Sequence, residues 1–291
     1  MLRRTVVAAA AALVASIGLA PAVVAAPVAT AAKTDVATIA HRGASAYAPE
    51  NTLAAVRLGV RMRADLVEID VQQTKDGELV VVHDNTLART TDAEQKFPDR
   101  GPWRISDFTL AEIRTLDAGS WKAPEFAGER VPTLAEVLDV LQRGPSGLLL
   151  EAKSPELYPG ITERIADELR ARPSWVRPDP KARNLVVQSF NWDFIRDFHG
   201  LLPGVQVGVL GAPSEAELAE VATYSNQVNP NHAQATPEYI AAVHAHGMSI
   251  NPYTVNEAPL MRALIDRGVD GIISDRPDVL REQIHAARRV G

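Results

Sequence analysis

Residues 67–84 read VEIDVQQTKDGELVVVHD. Val67, Ile69 and Val71 alternate with Glu68, Asp70 and Gln72, the period of a strand with one apolar and one polar face. Asp76-Gly77 then offers a tight hairpin turn, and a second apolar run from Leu79 to Val82 ends at His83-Asp84. A two-residue turn pairs Lys75 with Glu78 and sets His83 opposite Asp70. Directly opposite residues share a face, so the hairpin predicts that Glu68, Asp70 and His83 cluster. Two carboxylates and an imidazole make a poor core. They make a good place to hold a cation and move a proton.

Outward from this hairpin, β-like runs alternate with amphipathic ones. The runs are Val36–Ala40, Leu66–Gln72, Leu79–His83, Leu148–Lys153, Leu185–Ser189, Val205–Leu210, Gln227–Asn229, Ser249–Tyr253 and Gly271–Ser274. Capping boxes at Thr109-Leu-Ala-Glu112, Thr133-Leu-Ala-Glu136 and Ser214-Glu-Ala-Glu217 mark helix starts, as does Thr236-Pro237. Repeated strand-then-helix order argues for a parallel sheet, and a chain of 291 residues with no break in composition argues for one closed TIM (β/α)8 barrel. Nine strands are one too many. A two-residue turn makes no parallel crossover, so Leu79–His83 should run antiparallel to its predecessor and leave the barrel distorted or stand outside it. The weakly periodic stretch over about 90–131 reads as a small insertion on the barrel rim.

Residues 1–31 read as a signal peptide: Arg3-Arg4, an apolar Ala-rich run over 6–26, and Ala29-Thr30-Ala31 as a small-x-small cleavage site. The barrel domain is then 32–291, and the expectation is a secreted or extracytoplasmic chain without stable membrane insertion after signal removal. There are no cysteines, which excludes disulfides, thiolate metal sites and a cysteine nucleophile. The formal charge is −6, and −8 once Arg3 and Arg4 are removed; no polybasic patch points to nucleic acid.

Active sites of such barrels lie at the C-terminal ends of the strands, and chemistry-bearing residues gather there. The first run ends in His41-Arg42-Gly43, the second carries Glu68 and Asp70, the third ends at His83, and the fourth runs into Glu151-Ala-Lys153. Glu68, Asp70 and Glu151 are hard oxygen donors, suited to Mg²⁺ or Ca²⁺ and poorly suited to zinc. Arg42 and Lys153 supply fixed positive charge, the arginine able to grip phosphate through two donors. His41 and His83 then serve as general acid and general base. A hard cation, two cationic side chains and two histidines describe a site for a phosphodiester.

The ordered set His41-Arg42-Gly43, Pro49-Glu50-Asn51-Thr52, Glu68-x-Asp70, His83-Asp84, Arg89-Thr90-Thr91, Pro132-Thr133-Leu134, Glu151-x-Lys153, Thr254-Val255-Asn256 and Ser274-Asp275-x-Pro277 resembles the glycerophosphodiester phosphodiesterases. The resemblance covers about 39–277. It implies a TIM barrel with a small insertion, and release of glycerol 3-phosphate and an alcohol from a deacylated phospholipid. It also implies a divalent cation on Glu68, Asp70 and Glu151, an acid/base pair of His41 and His83, and phosphate held by Arg42 and Lys153. Glu50 would support the first loop and contact metal or glycerol. Tyr253 stands where the family usually has tryptophan, which keeps an aromatic wall for the substrate but shrinks it and adds a hydroxyl.

Two alternatives remain. A related phospholipase D-like barrel would act on lysophospholipid or sphingomyelin-type diesters, and an apolar rim around Trp103, Phe108, Trp121 and Phe126 would favour it. A non-catalytic exported phosphodiester-binding barrel would require a broken acid/base pair.

Overall fold

The computed structural model of the chain describes residues 36–176 and 184–289. The signal peptide expected over 1–31 lies outside these residues.

Among the described residues, nine strands form one sheet: β1 (Ala37–Ala40), β2 (Leu66–Gln73), β3 (Leu79–Val81), β4 (Gly147–Ala152), β5 (Leu185–Ser189), β6 (Gln206–Leu210), β7 (Gln227–Asn229), β8 (Ser249–Ile250) and β9 (Gly271–Ser274). Eight of them are parallel, in the order β8-β7-β6-β5-β4-β2-β1-β9, and β3 stands off this path, antiparallel to β2. A helix follows each barrel strand or its extension: α1 (Leu53–Arg61), α2 (Leu134–Leu141), α3 (Ile161–Arg170), α4 (Trp192–Leu201), α5 (Glu215–Val221), α6 (Pro237–Ala245), α7 (Ala258–Arg267) and α8 (Pro277–Arg288). This is the (β/α)8 barrel that the strand-helix alternation predicts. The three capping boxes are all formed, and Thr236 caps α6.

The barrel is nearly closed. Between β8 and β9 the ladder is irregular because Pro252 has no N–H to give. Three bonds of 3.0 Å cross the seam: Asp270 N–H to Ile250 O, Ile273 N–H to Pro252 O, and Val255 N–H to Ile273 O.

Alternation along the strands sorts the side chains. Val67, Ile69, Val71, Leu148, Leu150, Val187, Val207 and Val228 pack outward with helix residues such as Leu134, Leu138, Ile165, Leu169 and Phe198 in the main core. A smaller cluster of Ile39, Leu66, Leu149, Val186 and Ile273 forms separately from it. On the β5–β8 side, a buried amide chain joins Gln188, Asn229, Asn251 and Gln227 through bonds of 2.7–3.0 Å. Each buried amide is thereby satisfied without a charge.

One expectation needs correction. The hairpin does not turn on two residues. Thr74 takes the place expected of Lys75: Gly77 N–H donates to Thr74 O, Thr74 N–H donates to Glu78 O, and β2 pairs Val71 with Val81 and Gln72 with Val80. Lys75, Asp76 and a left-handed Gly77 (φ +88°) make a three-residue loop. The register is therefore one residue off the expected one, and Val82, not His83, lies across from Asp70, donating its N–H to Asp70 O. His83 still reaches the site because the chain leaves β2 after the Val82 N–H bond to Asp70 O. Gln72, fully buried, directs Nε2 at the carbonyls of Val82, His83 and Asp84 at 2.8, 3.1 and 2.8 Å, and its Oε1 accepts from Tyr158 Oη at 2.8 Å.

The stretch over about 90–131 holds its shape with a core of its own. Ile105, Phe108, Ile113, Leu116 and Val131 pack with Val80, Val82 and Leu87 into their own small core, with Trp103 against it. Phe108 is fully buried and Trp103 donates its indole N–H to Phe97 O. Of the four aromatics whose apolar rim would favour a lipid diester, only Trp121 is exposed. A segment with few long elements needs its aromatics inside to hold its shape, so no apolar rim forms.

Candidate active site

The loop after β1 is built on backbone that L side chains rarely adopt. Arg42 and Gly43 both have positive φ, at +53° and +79°. Gly43 is required there, since a Cβ would lie 2.5 Å from the backbone carbon of Ala55. The turn separates His41 from Arg42 and aims the Arg42 N–H at Glu68 Oε2, 2.6 Å away. Arg42 also places Nη1 2.8 Å from Glu50 Oε1 and Nε 3.5 Å from Asp70 Oδ2. Burial works against its charge, but Asp70, Glu50 and Glu68 outweigh it and raise the Arg42 pKa.

Glu68 and Asp70 share the inward face of β2, and Glu151 on β4 pairs in register with Asp70. All three are buried, and one carboxylate oxygen from each lies within 4.8 Å of the others. Asn51, itself at φ +59°, orients Asp70 by donating Nδ2 to Oδ2 at 2.7 Å and accepting the Asp70 N–H. Burial, then repulsion from Asp70 and Glu151, pushes the Glu68 carboxyl well up. Burial and Asp70 push Glu151 up to about 7, against the pull of Lys153. Glu68 Oε1 is buried with no hydrogen-bond partner. Three hard oxygen donors, mutually repelling and with one atom orphaned, fit a divalent cation.

The two histidines are held alike. His41 Nδ1 is 2.6 Å from Asp275 Oδ1, and His83 Nδ1 is 2.7 Å from Asp84 Oδ1. Burial would raise the Asp275 carboxyl, but hydrogen bonds from His41, Asn256 and Ser45 hold it down to about 2. Asp84 is held well below the usual carboxylate range, chiefly by Arg89. An ionised carboxylate only accepts, so each imidazole carries its proton on Nδ1 and leaves Nε2 for chemistry. Burial lowers the His83 pKa, and nearby Arg42 and Lys153 add to this against Asp70 and Asp84.

Lys153 follows β4 and sits among these groups, with Nζ 2.8 Å from Glu151 Oε1 and 3.3 Å from His83 Nε2. A pocket of about 280 Å³ opens from Glu151 and Lys153 past Glu156, Phe190 and Asn191. Tyr253 meets Phe190 edge-on at 6.0 Å, and burial, with Glu151 adding and Lys153 opposing, raises the pKa of its hydroxyl. Glu50 lies on the far side, with both oxygens engaged by Arg89 and one also by Arg42. All nine residues singled out in the sequence therefore stand around one mouth of the barrel.

Four further residues shape the site without having been given a role in the sequence: Asn51, Gln72, Asp84 and Asp275. Asp84 carries a local signal, a carboxylate next to a histidine. Asp275 carries no local one, being 234 positions from the ring it orients; its only signal is its place in the Ser274-Asp275-x-Pro277 motif.

Residues 41–279 match the Glycerophosphoryl diester phosphodiesterase family. A glycerophosphodiester phosphodiesterase of Bacillus subtilis (strain 168) is 36% identical over 259 residues, 84% of this chain and 85% of its own. One from Caldanaerobacter subterraneus subsp. tengcongensis is 37% identical over 247 residues, 83% of this chain and 95% of its own. Among solved structures, a phosphodiesterase of Oleispira antarctica in complex with the product sn-glycerol-3-phosphate aligns with a TM-score of 0.75 and 31% identity, over 85% of this chain and 96% of that one. A barrel of this topology, a mouth lined by the expected carboxylates and histidines, and likeness along most of the chain place it: it belongs to the glycerophosphoryl diester phosphodiesterase family, the enzymes that hydrolyse glycerophosphodiesters.

Proposed function

We propose that this chain hydrolyses small glycerophosphodiesters to glycerol 3-phosphate and an alcohol, using a divalent cation, Mg²⁺ or Ca²⁺, and two histidines. The observation that carries the reading is the pairing of His41 with Asp275 and His83 with Asp84 beside three carboxylates with an orphaned oxygen. Glu68, Asp70 and Glu151 would hold the cation, which when bound supplies Lewis-acid charge toward a phosphate oxygen.

Arg42 and Lys153 bind the phosphate, and Glu50 keeps the Arg42 guanidinium in place. One histidine takes the proton from the glycerol 2-hydroxyl as its oxygen attacks phosphorus. The other, entering the cycle as an imidazolium with a second proton on Nε2, gives that proton to the departing alcohol oxygen, leaving a cyclic phosphate. Water then opens the ring with the roles exchanged, the first histidine donating and the second accepting, so both regain their starting states. Tyr253 and Phe190 wall the substrate side of the pocket.

The apolar rim that would favour a lipid diester is absent, and both histidines are intact, so neither a lysophospholipid-cleaving nor a purely binding barrel gains support. No helix among the described residues is long and apolar enough to cross a membrane. Export through the Arg3-Arg4 segment completes the proposal and is tested by locating the chain in cell fractions.

The deciding experiment measures glycerol 3-phosphate release from glycerophosphocholine by the 32–291 chain in EDTA, then with Mg²⁺ or Ca²⁺ restored, beside His41→Ala and Glu68→Ala. Activity lost in EDTA, restored by a cation and missing from both variants is expected. Full activity in EDTA overturns the metal role, and inactivity with every cation overturns the substrate.

A further inference from the structure

Arg89 joins two parts of the mouth that are otherwise separate. Its Nη1 and Nη2 donate to Glu50 Oε2 and Oε1 at 2.9 and 2.7 Å, while Nε and Nη2 donate to Asp84 Oδ2 and Oδ1 at 2.6 and 3.0 Å. Every guanidinium nitrogen is thus engaged by a carboxylate. A continuous polar ladder results, running Arg42, Glu50, Arg89, Asp84, His83, Lys153, Glu151, with each step at 3.3 Å or less. It runs along the mouth from the phosphate-binding arginine to the metal carboxylates.

An exposed arginine pair is ordinarily worth little, and the Arg89 side chain is 45% exposed. Here the backbone beneath it is fixed. Leu87 is fully buried and donates its N–H to Trp103 O, and buried Thr91 hydrogen-bonds back to Leu87 O. The guanidinium therefore stands in a pinned turn at the start of the rim insertion, with two-pronged geometry to both carboxylates.

We propose that Arg89 is a positioning residue for His83: it locks the Asp84 carboxylate that orients the ring and ties it to Glu50, so that His83 Nε2 is held in register with the Arg42 phosphate site. Its nitrogens are engaged by carboxylates, so it acts through His83 and does not grip the phosphate itself. Lysine, with one compact ammonium, reaches one carboxylate at a time and does not replace the fork. The insertion thereby fixes one of the two acid/base groups. This inference rests on the hydrolytic reading above.

The test is a double-mutant cycle on the 32–291 chain with Arg89→Ala, His83→Ala and both together, with Arg89→Lys alongside. The substrate is glycerophosphocholine, whose departing alkoxide needs a proton, so the rate reports His83 whether it serves as acid or as base. Arg89→Ala should lower kcat about 10- to 100-fold with KM within about threefold, and Arg89→Lys should recover part of the loss. The double variant should be no slower than His83→Ala alone, within about twofold. A raised KM at unchanged kcat would make Arg89 a phosphate ligand and overturn the proposal, as would losses that multiply in the double variant. If thermal unfolding shows Arg89→Ala misfolded, Asp84→Asn cuts the same tie from the other side and must give the same pattern. An inactive wild type overturns the hydrolytic reading and this proposal with it; an active wild type matched by Arg89→Ala overturns this proposal alone.

Discussion

His41 Nδ1 lies 2.6 Å from Asp275 Oδ1, although the two residues are 234 positions apart. The contact exists because β1 and β9 are neighbours in the barrel, with Ala40 in register with Ser274. Each strand ends one residue before its half of the pair. Asp275 is itself held by Asn256 at 2.7 Å and Ser45 at 2.9 Å, so it is a fixed acceptor. Replacing it by asparagine keeps the shape but offers the ring an amide that no longer enforces the Nδ1–H tautomer. Asp275→Asn should lower kcat by about 10²- to 10³-fold with little change in KM, as read from initial rates of glycerol 3-phosphate release. A change confined to KM would contradict the role.

Gln72 does for His83 what the strand ladder does not. Its one amide group faces three successive carbonyls and holds the chain as it peels away from β2 after Val82. Gln72→Leu keeps the volume and strands those acceptors in a dry place. Unfolding in urea should show a loss of about 2–3 kcal/mol, and kcat should fall because His83 is no longer fixed. Unchanged stability would mean that water or another group satisfies the carbonyls.

Glu151 gives the pH dependence a sign. Its folded-state pKa is pushed up to about 7, above the unfolded value near 4.5, chiefly by burial and Asp70. Between these values the native metal-free chain keeps a proton that the unfolded chain has lost. Stability without metal is therefore greatest below pH 4.5 as far as this group is concerned, and falls as pH rises towards 7, by up to about 3 kcal/mol. A bound divalent cation replaces that proton, adding about 2.7 kcal/mol at a hundredfold excess over its Kd and flattening the slope. Urea midpoints at pH 5 and 7.5, in EDTA and in Mg²⁺ or Ca²⁺, check this. Equal slopes in both media would count against a cation at these carboxylates.

Gly43 tests the first loop. At φ +79°, with Ala55 backbone atoms where a Cβ would go, Gly43→Ala must either move α1 or unwind the turn. A destabilisation of about 2–4 kcal/mol is expected, with activity reduced in whatever remains folded, because Arg42 loses its aim. Calorimetry alongside the assay separates the two effects.

Much of this was written locally. The strand-helix alternation, the three capping boxes and the polar residues at strand ends involve neighbours within a few positions, where period and side-chain chemistry act directly. All nine strands stand where their apolar runs lie, and the antiparallel β3 follows from the short turn before it. His41, Glu68, Asp70, His83 and Glu151 could be picked out because each sits at or near the C-terminal end of its strand.

Distance decided the rest. The hairpin turn takes three residues because the insertion claims two of its groups: Lys75 N–H donates to Phe108 O at 2.8 Å, and Asp76 accepts the Leu110 N–H at 2.9 Å. No pattern within residues 67–84 encodes a partner that lies more than 20 positions away. The same holds for Asp275 behind His41 and for Arg89 between Glu50 and Asp84. It holds too for the burial of Phe108, which leaves no apolar rim to favour a lipid diester. The chain's own neighbours settle which groups are available for chemistry; the closing of the barrel and the packing of the insertion settle which of them meet.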